Sequence, residues 1–186
     1  MASYATASSC LPGLRSIPLQ SKSPASPDSM FLRFQLPSST ETLAERGIAP
    51  SGISVVYKEP VSGIELKKSY SPISLPDEEG SFELLVKAYP PREGGGVGAH
   101  LCGLEPGDVA QVEVKPPRLI HGSTDVARRW AKLGMVCGGT GVTPFLQIIR
   151  HLLATEGDET EIWLLSVNRN PEDILMRAGL EAMAAK

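Results

Sequence analysis

The chain has 186 residues, 41% of them hydrophobic, with a formal net charge of −3 and a pI of about 5.7. That is enough apolar material for one medium domain or two small ones, and the mild acidity excludes the basic excess on which nucleic-acid binding depends. The three cysteines, Cys10, Cys102 and Cys137, stand too far apart for a zinc or iron–sulfur spacing, and their odd number argues against a disulfide framework; no metal site and a reducing intracellular compartment are expected.

Residues 1–27 hold seven serines and no acid, with Arg15 and Lys22 as the only charges, which is the composition of an organelle transit peptide or of a disordered tail. "LRSIPLQSKSPASPDSMFLRFQLP" nevertheless reads as a strand, a turn and a second strand, which confines any tail to residues 1–12. The compartment, cytoplasmic or organellar (mitochondrion or plastid), stays open. No run approaches the roughly 18 apolar residues of a membrane helix, so no direct membrane span is expected.

"MFLRFQLP", "SGISVVYKEP", "GIELKKSYSPIS", "GSFELLVKAYP" and "GDVAQVEVKPP" follow one another with rough period-two alternation, punctuated by Pro, Gly and Ser. Strands so spaced predict a small antiparallel β barrel or sandwich over residues 13–125, because an open sheet of that size would leave exposed edges, and a Greek-key-like β barrel is the form expected. The one helical candidate within it is "VGAHLCGL". After Ala127 the period changes. "KLGMVCG" is a buried-type strand, "TPFLQIIRHLLAT" puts Phe145, Ile148, Ile149 and Leu152 on one helical face, "EIWLLSVN" is a second strand and "PEDILMRAGLEAMAAK" a second helix. This β-α-β-α order predicts parallel strands with a right-handed crossover, hence a partial α/β nucleotide-binding domain over residues 126–186.

Three motifs carry chemistry. Gly138-Gly139-Thr140-Gly141-Val142-Thr143-Pro144 joins the first parallel strand to its helix, where doubly wound folds bind nucleotides. Glycines admit a ligand close to the backbone, the helix start presents unpaired N–H groups, Thr143 is placed to cap the helix and Pro144 to fill its first turn. No Lys-Ser/Thr pair follows, so it is not a Walker loop, and Pro144 stands where a G-x-G-x-x-G would have its third glycine. A plain βα turn would also use such glycines. A second run, Gly94-Gly95-Gly96-Val97-Gly98, suits either an anion nest or a flexible loop. The third, Lys67-Lys68-Ser69-Tyr70-Ser71-Pro72, brings a cation, a phenol and a hydroxyl together at a strand end, or is simply a solvated end.

The order of these motifs resembles the ferredoxin-reductase-like flavoproteins, in particular the NADH–cytochrome b5 reductase branch, from about Ile17 to Lys186. "SYSPIS" is similar to that family's R-x-Y-T/S-P-x-S flavin motif, "LLVKAYPPREGGGVGAHLCGLEPGD" to its second flavin segment, and "GGTGVTPFLQIIR" to its pyridine-nucleotide loop. The resemblance implies an oxidoreductase passing electrons from NADH, with NADPH not excluded, through FAD to a one-electron acceptor such as a haem protein of the cytochrome b5 kind. It implies that Tyr70 lies along the flavin and its ribityl-phosphate arm, and that Ser71 hydrogen-bonds near the reactive ring edge. Lys68 would meet a phosphate, Val86, Lys87 and Tyr89 would contact the flavin, and Gly95, Gly96, Val97 and Gly98 would hold the pyrophosphate. Gly138, Gly139, Thr140, Gly141, Thr143 and Pro144 would meet the nicotinamide coenzyme. Ser71 and Thr143, nearest the exchange between the cofactors, are the catalytic candidates.

This sequence departs from the family pattern at three places. The family's arginine is Lys68, which keeps the charge without the planar fork for phosphate oxygens, and its serine in the second flavin segment is Gly98. After two strands and two helices the family continues with further strands, an acidic coenzyme-selecting residue and a Cys-Gly-Pro-Pro segment, none of which follows here. The expectation is therefore a C-terminally truncated chain that turns over poorly, or a flavin- or nucleotide-binding module without activity.

Overall fold

A computed structural model describes residues 13–43, 52–60, 62–75, 77–89, 96–115 and 130–185. The tail over residues 1–12, Gly94, Gly95 and the boundary between residues 125 and 126 lie outside the described residues. The first half is built from β1 (Leu14–Ser26), β2 (Ser29–Gln35), β3 (Ile53–Lys58), β4 (Glu65–Tyr70), β5 (Ser81–Lys87) and β6 (Val109–Val114). They form one antiparallel sheet in the order β4-β3-β6-β1-β2-β5, a Greek-key-like arrangement in which β6 slots between β3 and β1. Past β4 the chain comes up against the far edge: the Ile73 N–H donates to the Glu83 carbonyl at 2.8 Å, and the Ser74 hydroxyl accepts from the Glu83 N–H at 3.1 Å. The sheet thereby curls towards closure, and the segment after β4 covers part of the β5 edge.

Alternation fills the barrel. Ile17 and Leu19, Leu32 and Phe34, Ile53 and Val55, Phe82, Leu84 and Val86, and Ala110 and Val112 are spaced two apart on their strands and all buried in one cluster. Phe34 and Phe82 stack at 5.3 Å between centroids. Helix α1 (Val97–Gly103) lays Val97 and Leu101 into the same core. Each such side chain contributes about 1.5–3 kcal/mol of burial, so the barrel has its own hydrophobic core.

The second half runs β7 (Lys132–Gly138), a 3₁₀ turn at Gly139–Val142, α2 (Thr143–Ala154), β8 (Glu161–Val167), a 3₁₀ turn at Pro171–Asp173 and α3 (Arg177–Ala184). β7 and β8 are parallel, with Met135 opposite Leu164. Their other face leaves Val136, Trp163, Leu165 and Val167 60–68% exposed. No helix among the described residues is long and apolar enough to cross a membrane.

Two expectations for this half need correction. Ile148, Ile149 and Leu152 are buried as the period predicts, but Phe145 is only half-buried, while Leu146 and Gln147 are 0% exposed. The helix packs against the barrel as well as its own sheet, so a single amphipathic face does not describe it. Nor is "PEDILMRAGLEAMAAK" one helix. Its first turn ends at Asp173, Ile174 is extended and Met176 is left-handed at φ 57° before α3 starts. Asp173 pairs with a barrel lysine and Leu175 is buried in the cluster shared with the barrel. Residues two apart lie on opposite sides of a helix but on one side of an extended chain, so both anchors require the break.

Candidate functional site

The two halves share a second apolar cluster. Ile73 and Leu85 come from the barrel, and Val142, Leu146 and Leu175 from the second half. Gln147 donates its side-chain amide to the carbonyls of Pro72 and Ser74 at 3.3 and 3.2 Å, and Arg150 donates to that of Ile73. The link after β4 thus does two things: it completes the barrel and it docks α2. Lys87 adds an ion pair to Asp28 at 2.9 Å and another to Asp173 at 3.0 Å.

Between the halves lies a cleft of about 130 Å³ lined by Lys68, Tyr70, Ser71, Leu85, Lys87 and Tyr89 from the barrel and by Thr140 and Thr143 from the glycine loop. The Tyr70 hydroxyl is buried and has no hydrogen-bond partner among the described residues. Burial pushes its phenol above the ordinary range, with Cys102 and Tyr89 adding to the effect, so it stays a neutral donor. An unsatisfied buried hydroxyl costs about 1–3 kcal/mol, which a ligand acceptor would recover. The Lys68 ammonium stands 5.9 Å from the Tyr70 ring centroid and 5.4 Å from that of Tyr89, and has no carboxylate partner among the described residues. A cation, an orphaned phenol and hydroxyls at one cleft suit an anionic, hydrogen-bonding aromatic ligand; FAD fits that description.

The glycine loop borders a second cleft of about 320 Å³, lined by Gly138, Gly139, Val167, Asn168, Arg169 and Asp173 together with Lys87, Tyr89 and Leu175. It opens at the C-terminal ends of β7 and β8, where parallel α/β units receive ligands. The buried Asn168 Oδ1 has no partner among the described residues, while its Nδ2 donates to the Ser166 hydroxyl at 3.0 Å. Gly139 has φ +50° and open space where a side chain would be. Thr143 does not cap α2: a 3₁₀ turn precedes the helix, and the Thr143 hydroxyl donates to the Thr140 carbonyl at 3.1 Å. The tight turn holds that carbonyl within reach and so diverts the side chain from a cap. Pro144 lies in the first turn of α2, as expected.

Seven of the expected site residues converge on one cleft and two more, Gly138 and Gly139, line the other. Lys68, Tyr70, Ser71, Lys87, Tyr89, Thr140 and Thr143 line one cleft, and the Tyr89 and Thr140 hydroxyls lie 3.4 Å apart across it. Val86 does not point that way. Its side chain is buried in the barrel core, and alternation leaves Leu85 and Lys87 on the cleft side. Gly96 precedes α1 with open space at its Cα, Val97 is core, and Gly98 abuts the Lys87 backbone. Leu85, Asn168, Asp173 and Gln147 are not legible as site residues in the sequence: the partners of Leu85, Asp173 and Gln147 are distant in the chain, and the place of Asn168 at the cleft depends on where β8 ends.

An antiparallel barrel with a phenol–lysine cleft, joined to a parallel unit with a glycine loop, defines a two-part flavin and nicotinamide-nucleotide oxidoreductase architecture. The chain belongs to the oxidoreductase FAD-binding domain family, whose model matches residues 16–118. Residues 135–186 match the oxidoreductase NAD-binding domain. Among curated relatives, NADH-cytochrome b5 reductase 1 of Laccaria bicolor is 36% identical over 91% of this chain and 52% of its own length. NADH-cytochrome b5 reductase 2 of Gallus gallus is 33% identical over 91% of this chain and 60% of its own. The chain thus spans about half the length of the curated relatives it matches. Among solved structures, the cytochrome b5 reductase domain of Ulva prolifera nitrate reductase superposes with a TM-score of 0.80 at 28% identity, covering 95% of this chain and 71% of that one. The flavohemoglobin of Malassezia yamatoensis, at 21% identity and TM-score 0.74, covers 92% of this chain and 42% of that one and shares the fold.

Proposed function

We propose that this chain is the flavin- and nucleotide-binding part of an NADH-dependent oxidoreductase serving a one-electron haem acceptor of the cytochrome b5 kind. The observation that carries this reading is the cleft in which the Tyr70 hydroxyl, without a hydrogen-bond partner among the described residues, stands with Ser71 and Lys68 opposite Thr140 and Thr143 of the glycine loop. The names of the relatives favour NADH as coenzyme and cytochrome b5 as acceptor. The matched spans favour a flavin domain over residues 13–125 and a nucleotide domain over 126–186.

Bound FAD would supply the hydride-accepting and single-electron chemistry that no side chain offers. Tyr70 would donate to it from a buried position, and Lys68 would neutralise a phosphate. Ser71 would hydrogen-bond near the ring, and Gly96 and Gly98 would let the backbone come close. Gly138, Gly139 and Gly141 would clear the approach for the coenzyme, while Thr143 would fix its position relative to Ser71. Hydride transfer needs no general acid or base, so orientation and exclusion of water are the protein's contribution.

The test is reconstitution of the chain with FAD, read by flavin absorbance, followed by NADH–ferricyanide turnover. Failure to take up FAD at tens of micromolar would overturn the reading. A second reading, a binding module without turnover, is favoured by the exposed apolar face of Val136, Trp163, Leu165 and Val167. Flavin uptake without NADH oxidation would select it.

A further inference from the structure

We propose that the bare face of the β7–β8 sheet seats a second copy of this chain, in a dimer whose two-fold axis runs along the strands. The inference is independent of the flavin reading. The strands are parallel and in register, so residues opposite one another share a face: Lys132 with Glu161, Gly134 with Trp163, Val136 with Leu165 and Gly138 with Val167. The residues between them turn the other way, where Met135 is buried and Cys137 and Leu164 pack into the cluster shared with the barrel. Parallel sheets are ordinarily covered on both faces, yet nothing among the described residues covers Val136, Trp163, Leu165 and Val167.

The relief of this face selects its occupant. β8 carries a ridge of Trp163, Leu165 and Val167, and β7 beside it carries a furrow in which Gly134 and Gly138 flank Val136. The space where a Gly134 side chain would stand is open. A two-fold axis parallel to the strands sets the β8 of each copy over the β7 of the other. Trp163 of one copy then comes over Gly134 of the other, Val167 over Gly138, Leu165 over Val136 and Glu161 over Lys132. Bulk meets furrow in the glycine rows, apolar meets apolar between them, and opposite charges meet at the end. An axis across the strands would instead stack Trp163 on Leu165 and Gly134 on Val136, and would set both charges opposite residues without one. The ridge is also held in place before contact: the Trp163 indole N–H donates to the Glu161 carboxylate at 2.9 Å, and Glu161 pairs with Lys132 at 2.9 Å.

A lipid surface matches this face less well, because its one cation is already paired and there is no basic surplus for anionic headgroups. Two strands about 4.8 Å apart and about 20 Å long bury less than the roughly 800 Å² per partner of a standard interface, so the dimer is weak, with a dissociation constant on the order of tens of micromolar. Gly138 and Val167 also border the larger cleft, so the second copy reaches its rim.

The test is sedimentation equilibrium of the full chain without coenzyme, from about 1 to about 300 µM, a range that brackets the expected constant. The parent should move from 19.8 kDa towards twice that mass and no further. Trp163→Glu should weaken association by roughly tenfold or more, as loss of a central aromatic anchor does. Gly134→Val adds apolar area to the face but fills the furrow, so it should also weaken association, whereas unspecific adhesion would strengthen. Lys132→Glu and Glu161→Lys should each weaken self-association, and an equimolar mixture of the two variants should recover it. Each monomer keeps its own like-charge pair in that mixture, so recovery comes only from contact between copies. A chain that stays monomeric throughout would overturn the proposal, as would assembly that runs past the dimer in the manner of strand-edge pairing. A mixture no tighter than its components, or tighter association of G134V, would overturn it too. Vesicles of phosphatidylcholine and phosphatidylserine that pull down the parent but not W163E would give the face to lipid instead. Failure to take up FAD would undo the flavin reading and leave these outcomes untouched.

Discussion

Gly98 rests so closely against the Lys87 backbone that a β-carbon there would stand 2.7 Å from the Lys87 carbonyl oxygen. The residue is a condition of α1 lying on β5, not merely a serine whose hydroxyl is missing. Replacing Gly98 by Ala or Ser should destabilise the barrel by about 1–3 kcal/mol, the cost of overpacking, and Ser should not tighten FAD binding. Urea unfolding and flavin titration of both variants check this.

Gln147 is fully buried and satisfies the Pro72 and Ser74 carbonyls. Gln147→Leu keeps most of the volume but strands both acceptors, so it should cost about 1–3 kcal/mol per orphaned group at most. The loss should concentrate in the junction. Amide exchange should rise in α2 before it rises in β2, whose strand is paired on both sides.

Gly139 adopts φ +50°, a conformation that costs other residues about 1–2 kcal/mol. Gly139→Ala should therefore destabilise the loop modestly with little steric change. Gly139→Val should in addition obstruct the coenzyme, since the space beside Gly139 is open in this structure. NADH affinity should fall far more in the Val variant than in Ala, with flavin absorbance intact in both. Loss of FAD together with NADH reactivity would mean that the loop is structural.

Lys68 holds its charge over the Tyr89 and Tyr70 rings at the cleft. Lys68→Ala should weaken FAD binding by about 1–3 kcal/mol, the range of a charge-assisted hydrogen bond, and Lys68→Arg should tighten it through a forked contact. Isothermal titration with FAD reads both directions. Unchanged affinity in both variants would remove Lys68 from the site.

His100 stacks on Tyr57 with ring centroids 4.1 Å apart. Burial lowers its pKa below 6.5 against the opposing charge of Asp108. The folded state thus prefers the neutral ring: its stabilisation is full above 6.5 and declines as pH falls from there through the lower folded value. Thermal unfolding should lose stability across that window, and His100→Phe should lose less. An NMR titration midpoint for His100 at or above 6.5 would contradict the assignment.

The sequence by itself determined the barrel strands, the β-α-β order and the glycine loop, because these depend on local periodicity and on residues whose backbone freedom is intrinsic. "SMFLRFQ" alternates, and β2 buries Leu32 and Phe34 as that alternation requires. Ser71 and Thr143 were legible as chemistry-bearing residues next to recognisable motifs, yet only the fold sets them on one cleft from positions 72 residues apart in the chain. The tertiary structure alone decided that Gln147 is buried, that the helix expected from Pro171 breaks at Met176, and that Val86 faces the core while Leu85 faces the junction. The burial of Gln147, the break before α3 and the place of Leu85 each depend on a surface contributed by the other half, and Val86 takes the opposite, barrel side of its strand. A one-dimensional period cannot register a second packing partner, because the apolar area that rewards burial lies on residues distant in sequence. The pairing of Lys87 with Asp173 belongs to the same class, since charge attraction follows distance in space and nothing in either local stretch names the other.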